Sequence, residues 1–145
     1  MPNDSLKHLV VDTSVAVQWI VRDEKSTSMD KLFLAGYLGK SNLHVPALWL
    51  WECGNALLSY CKAGRISAAD IEGYLSALRY PKPHIDALPS VATQKTIIEL
   101  AEQSKLSFYD ATYLELAMRR RAGLATLDKK LRAAATAQGV VCIDL

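Results

Sequence analysis

Short apolar runs rich in β-branched residues alternate along this chain with longer runs of helical period, and few folds accommodate that order. His8-Leu9-Val10-Val11 is the first such run and reads as a buried strand. A helix is expected from Ser14 to Arg22, with Thr13 or Ser14 able to cap it. A second is expected from Ser26 to Leu38, closed by Gly39. Leu43-His44-Val45 is a short strand ended by Pro46, and Ala47 to Lys62 is helical, stopping at Gly64. Ser67-Ala68-Ala69-Asp70 has the spacing of a capping box and opens a helix to about Leu78. Pro81, Pro83 and Pro89 bracket a further strand, His84 to Leu88. Helices from Ser90 to Ser104 and from Ser107 to Arg121 follow. Then come a strand Leu124-Ala125-Thr126, a helix from Asp128 to Ala137 and a last strand from Val140 to Ile143. Strands separated by helices imply an α/β fold, a parallel sheet with helices on both faces. With no repeat, low-complexity tract or linker, residues 1–145 are expected to form a single domain, long enough for a real core.

Composition narrows the class further. Half the residues are hydrophobic and 22% are charged, which is globular and not disordered. A net charge of +2 neither demands nor excludes nucleic acid. The start, Met1 to Ser5, carries an acid and is not a signal peptide, and no apolar run approaches the ~18 residues of a membrane span. A cytoplasmic protein without membrane partners is expected. Cys53, Cys61 and Cys142 are odd in number, lie in apolar contexts and include no CxxC pair, so they read as reduced core residues.

Four acids stand where a carboxylate is awkward to keep. Asp12 ends the first apolar run, Glu52 lies within Leu48-Trp49-Leu50-Trp51-Glu52-Cys53, Asp110 opens a helix, and Asp128 follows Leu124-Ala125-Thr126-Leu127. A carboxylate beside a core is costly to desolvate and needs a partner, often a cation. Each has an ordinary explanation. Glu52 can pair with an Arg or a backbone group, although Asn55 and Ser59 extend a polar stripe along its helix. Asp12 and Asp128 can cap the helices that follow them, and Ser107-x-x-Asp110 can be a capping box. Together they point instead to one pocket for a hard divalent metal. Asp12 and Asp128 also sit just past strand ends, where ligands bind in sheets of this kind.

Other candidates are weaker. His8, His44 and His84 share no metal or nucleophile spacing, no nucleophile elbow is present, and no GxxxxGK[ST] loop exists. Arg119-Arg120-Arg121 and Lys129-Lys130-x-Arg132 form a basic cluster around Asp128, either a solvated face or a dock for phosphates. Trp19, Trp49 and Trp51 read as core or subunit-interface residues, with base stacking as the alternative.

The stretches Val10-Val11-Asp12-Thr13-Ser14-Val15-Ala16-Val17 and Val45-Pro46-Ala47-Leu48-Trp49-Leu50-Trp51-Glu52, with Asn55-Ala56-Leu57, resemble the PIN-domain family, and within it the VapC toxins of type II toxin–antitoxin modules. The likeness continues in Gly64-Arg65-Ile66-Ser67, in Leu106-Ser107-x-Tyr109-Asp110-Ala111-x-Tyr113-Leu114 and in Leu124-Ala125-Thr126-Leu127-Asp128-x-x-Leu131. It implies a three-layer α/β/α fold around a mostly parallel sheet, and an endoribonuclease dependent on Mg2+ or Mn2+. Asp12, Glu52, Asp110 and Asp128 fall on the family's acidic positions. The resemblance makes Asp12 and Asp110 direct metal ligands, with Glu52 and Asp128 completing the shell directly or through water. Ser14 and Thr126 match small hydroxyl positions near the site. The implied substrate is RNA, of tRNA or rRNA class. The implied partners are a VapB-like antitoxin laid across the acids and a second copy in a homodimer, with a larger toxin–antitoxin assembly open to it.

Rival classes fit less well. Haloacid-dehalogenase-like phosphatases want an Asp two residues after the nucleophile, where this chain has Ser14, and receiver domains want an acidic pair before the first strand's Asp, where it has Val10-Val11. A non-catalytic metal- or partner-binding module, and a PIN-type RNA-processing or decay nuclease outside any toxin module, remain as alternatives.

Overall fold

The computed structural model describes residues 7–21 and 27–145. Strands β1 (His8–Val11), β2 (Asn42–Val45), β3 (His84–Ile85) and β4 (Gly123–Ala125) form one sheet in the order β3-β2-β1-β4, with every pairing parallel. Leu9, Val10 and Val11 of β1 are all buried, as a strand covered on both faces must be. Seven α-helices occur among the described residues: α1 (Thr13–Ala16), α2 (Thr27–Tyr37), α3 (Leu48–Lys62), α4 (Ile71–Ala77), α5 (Val91–Ser104), α6 (Phe108–Arg120) and α7 (Lys129–Ala137). α6 packs on β1 and β4, and α5 and α7 pack on α6. α1 and α3 pack together with a 3-10 turn, Val17–Trp19, while α2 joins that turn and α4 joins α3. The expected α/β/α layering is the one observed. Trp49, Leu57, Leu114, Leu116, Leu124 and Leu131 are among the fully buried side chains of its core.

Several elements are shorter than the sequence predicts, for local reasons. The strand expected from His84 to Leu88 pairs only at His84–Ile85, with one further bond from the Asp86 N–H to the Val45 carbonyl at 2.8 Å. Its partner ends at Pro46, which has no N–H to continue the ladder. The strand expected from Val140 to Ile143 is a single parallel bridge between Leu124 and Cys142. The helix expected from Ser14 to Arg22 is one turn, α1, followed by the 3-10 turn, because Val15, Val17 and Ile20 are β-branched and weaken helical propensity. Arg22 and Ser26, the outer ends of two expected helices, lie outside the described residues. Ser67 starts a 3-10 turn, Ala68–Asp70, before α4, and its Oγ accepts from the Ala69 N–H at 3.3 Å. Cys53 is buried, but Cys61 and Cys142 are only half-buried, so the core reading holds for one thiol of three. Among the described residues, no helix is long and apolar enough to cross a membrane.

Candidate active site

Parallel pairing sets Val11 opposite Ala125, so the next residues, Asp12 and Thr126, leave the sheet side by side. The Asp12 N–H still donates to the Ala125 carbonyl, at 3.1 Å. Its side chain then caps α1. Oδ1 accepts from the Val15 N–H at 3.2 Å and from Ser14 Oγ at 2.6 Å, and Oδ2 accepts from Thr126 Oγ1. Ser14 Oγ accepts in turn from the Leu127 N–H, and Thr126 Oγ1 from the Asp128 N–H, each at 3.0 Å. The result is a lattice of hydroxyls and N–H groups joining the ends of β1 and β4. Asp12 is 6% exposed within it. Burial pushes its carboxyl above the usual range, the bonds from Ser14, Thr126 and Val15 oppose that, and the nearby Asp128 charge adds to the rise. Among the described residues, no Lys, Arg or His forms an ion pair with Asp12.

Glu52 is held from the next layer. Trp49, Cys53 and Leu57 form the buried stripe of α3 and leave Glu52 at its border. Tyr113 on α6 donates its hydroxyl to Glu52 Oε1 at 2.5 Å. Thr13 Oγ1 donates to the same oxygen at 3.3 Å and lies 3.0 Å from the Tyr113 hydroxyl. Tyr113 is buried, and that burial, followed by its bond to Glu52, holds the phenol well above its ordinary range, so it remains a donor. Glu52 Oε2 has no hydrogen-bond partner among the described residues. Among the described residues, Glu52 has no Arg partner, the ordinary reading of a buried glutamate. Burial, with the Glu52 charge adding, pushes the neighbouring Cys53 thiol up to about 12, which makes it a poor nucleophile at neutral pH.

Asp110 is half-buried in the first turn of α6, and its N–H donates to Ser107 Oγ at 3.1 Å, so Ser107 is the cap. Tyr113 lies three residues on, which puts Asp110 on the helix face that meets Glu52. Asp128 is exposed and caps α7 through the Leu131 N–H at 2.9 Å. Two arginines of the basic run turn to another acid. Arg119 and Arg120 reach Asp86, at 2.5 and 3.3 Å, and Arg119 also grips Glu115 at 2.8 Å, one turn back on the same helix. Burial works against the Asp86 carboxylate, but these two guanidinium groups hold it below the usual range. Arg132 donates to the Ile143 carbonyl at 2.7 Å. Trp49 is in the core, Trp19 is half-buried against the edge of Phe33, and Trp51 stands exposed. Thr13 and Tyr113 were not singled out from the sequence as holders of Glu52. Their signals were adjacency to Asp12 and a three-residue offset from Asp110.

Residues 9–137 match the PIN domain family. This chain belongs to that family. PIN domains are, as a group, metal-dependent nucleases, so membership makes the chain a nuclease, a hydrolase of nucleic-acid phosphodiesters. The PIN fold seen here is also that of PAE2754 from Pyrobaculum aerophilum, known from a crystal structure. The two agree with a TM-score of 0.70 and 21% sequence identity over 93% of this chain and 90% of that one. A search of curated proteins gives no match.

The donors of this PIN domain are carboxylates and hydroxyls, which suit a hard divalent cation. Among the described residues, Asp12 is buried without a cationic partner and Glu52 has one oxygen without a hydrogen bond, so both can receive such an ion. Among the described residues, no three Asp, Glu, His or Cys side chains are grouped so as to hold a metal ion. The four acids therefore do not form a closed cage: Asp128 is turned back to cap α7, and clustered carboxylates repel one another without a cation. Magnesium needs only one or two protein carboxylates, because it keeps several of its waters.

Proposed function

We propose that this PIN domain, a single domain over residues 1–145, is the toxin of a VapBC-type toxin–antitoxin module. It cleaves RNA of tRNA or rRNA class in the cytoplasm with Mg2+ or Mn2+, and a VapB-like antitoxin restrains it. The observation that carries this reading is Asp12. It is a buried carboxylate at a strand's carboxyl end, surrounded by hydroxyl and N–H donors, with no cationic side chain paired to it among the described residues.

Asp12 and Asp110 would hold the ion directly, with Glu52 and Asp128 completing its shell directly or through water. Once bound, it would draw charge from the phosphodiester and make a water more acidic. The chain's own part is orientation. Ser14, Thr126 and Val15 fix both Asp12 oxygens, while Tyr113 and Thr13 fix Glu52 Oε1 and, among the described residues, Oε2 is left free. The free carboxylate oxygen can orient the attacking water in line with the leaving oxygen, which yields a 5′-phosphate and a 3′-hydroxyl. The same acids are a target for a basic antitoxin side chain, since one guanidinium satisfies two carboxylate oxygens. The antitoxin thereby competes with metal, and the toxin acts as a homodimer that can enter a larger toxin–antitoxin assembly.

Expression of the chain alone and together with the gene upstream of it tests the toxin role. Growth arrest from the chain alone, relieved by the upstream product and absent in Asp12→Asn, is the expected result. A chain harmless to growth, with activity indifferent to that partner, contradicts it.

A further inference from the structure

The proposed nuclease site has an apolar annex. A cavity of about 200 Å³ lies between α3, α6 and the segment after β3, walled by Leu48 and Trp51 of α3, Leu88 and Pro89 after β3, and Phe108 and Tyr109 of α6. A shallower groove that contains Glu52, Thr13 and Asn55 shares Leu48, Trp51 and Tyr109 with it. Leu48, Trp51 and Tyr109 thus form a wall common to both spaces, with two aromatic rings in it. Trp51 is 66% exposed and Tyr109 is 60% exposed, and neither is needed to close the core. Each is the immediate chain neighbour of a candidate acid, Trp51 of Glu52 and Tyr109 of Asp110. Successive helical residues point about 100° apart, so an acid turned toward the reaction leaves its aromatic neighbour at the rim. Two helices do this side by side. The charged groups in its wall, Asp86, Glu115 and Arg119, are already paired, and Arg120 also reaches Asp86, so two carboxylates face two guanidinium groups and little net charge meets an incoming ring.

We propose that this annex is a nucleobase subsite: a base flanking the scissile phosphate leaves the RNA stack and lies against Trp51 and Tyr109. Single-stranded RNA is recognised by splaying bases onto aromatic faces, and such stacking tolerates any base because every base has a π-face. The apolar lining predicts affinity with weak base preference, and a requirement for unpaired nucleotides at the cut. The inference rests on the nuclease reading of the same site.

Steady-state cleavage of a short fluorogenic single-stranded oligoribonucleotide tests it, using the full chain with Mg2+, Trp51→Ala, Tyr109→Ala and Trp51→Phe. Each alanine variant is expected to raise KM about 5- to 100-fold with kcat within about twofold, and Trp51→Phe to recover most of the loss. Oligoribonucleotide should quench tryptophan emission in the wild type and not in Trp51→Phe. Melting temperatures identify any variant that fails to fold, and the phenylalanine variant keeps the test decisive in that case. Cleavage by the wild type with unchanged KM in every variant overturns the subsite while leaving the nuclease intact. A wild type that cleaves no RNA overturns both. Variants that keep their KM but lose a co-expressed protein partner would mark the annex as a protein dock, which also overturns the base subsite.

Discussion

Asp12 performs two tasks that are usually separate. It caps α1, as a strand-terminal aspartate often does, and it remains a buried anion with no paired cation among the described residues. Capping alone would be served by a side chain nearer to solvent. Replacing it by Asn keeps a cap and removes the desolvated charge. Asp12→Asn should therefore melt, without metal, at a temperature equal to or above that of the wild type. Its cleavage should fall at least about a hundredfold, on the order of 3 kcal/mol of transition-state stabilisation. Paired thermal melts and RNA assays check this, and a large loss of stability would show Asp12 to be structural. Tyr113 offers a different split. Tyr113→Phe removes the donor at 2.5 Å from Glu52 and, among the described residues, leaves Thr13 to hold it. A cost of roughly 1–3 kcal/mol in stability is expected from the lost bond to a charged acceptor. A fall of roughly 10- to 100-fold in kcat should accompany it as Glu52 loses its orientation. Denaturant titration and single-turnover rates separate the two. The positions of the four acids were legible in the chain because each interrupts or borders an apolar run. Their partners were less so. A hydroxyl that meets Asp12 from 114 residues away, as Thr126 does, leaves no periodic trace, and only the resemblance brought it into view.

At the scale of elements, hydrophobic period and caps carried most of the information. β1, α3, α5 and α6 fall where the pattern puts them, because each has a continuous buried stripe and a Ser, Pro or Gly near an end. β3 was over-extended, since sequence shows apolar residues but not where the neighbouring strand runs out of donors. The basic run on α6 has a partner that periodicity does not show. Its local density was visible, but Asp86, which Arg119 and Arg120 reach, is a lone acid between two prolines. The three histidines without a sequence spacing do meet in space. His8 Nδ1 lies 2.9 Å from His44 Nε2, and the rings of His44 and His84 are 5.6 Å apart across neighbouring strands. Burial, then the neighbouring His8, His84 and Arg120, depress His44 to about 4, with Asp86 opposing. Its ordinary value is 6.5. Between these limits the unfolded chain takes up a proton that the folded chain refuses, so stability present above pH 6.5 is lost as pH falls toward 4. The loss should be on the order of 1–3 kcal/mol. Urea melts at steps from pH 7 to 4 should show a shallower decline for His44→Phe than for the wild type. Identical slopes would remove His44 from the cause.

Taken whole, the molecule sets Asp12 where parallel α/β sheets place ligands, beyond the carboxyl ends of β1 and β4, and Glu52 of α3 is held by Tyr113 of α6. The sheet order that does this could not be read from periodicity, which assigns elements but not neighbours. Right-handed crossovers limit the choices, and family membership then selects among them. The central claim is metal-dependent RNA hydrolysis at the acids Asp12, Glu52, Asp110 and Asp128. Its most direct test is cleavage of purified RNA by partner-free protein, with the ends of the fragments analysed, in Mg2+, in Mn2+ and in EDTA. Fragments with 5′-phosphate ends in either metal, none in EDTA, and none from Asp12→Asn are the expected result. Cleavage that persists in EDTA and in Asp12→Asn would contradict it.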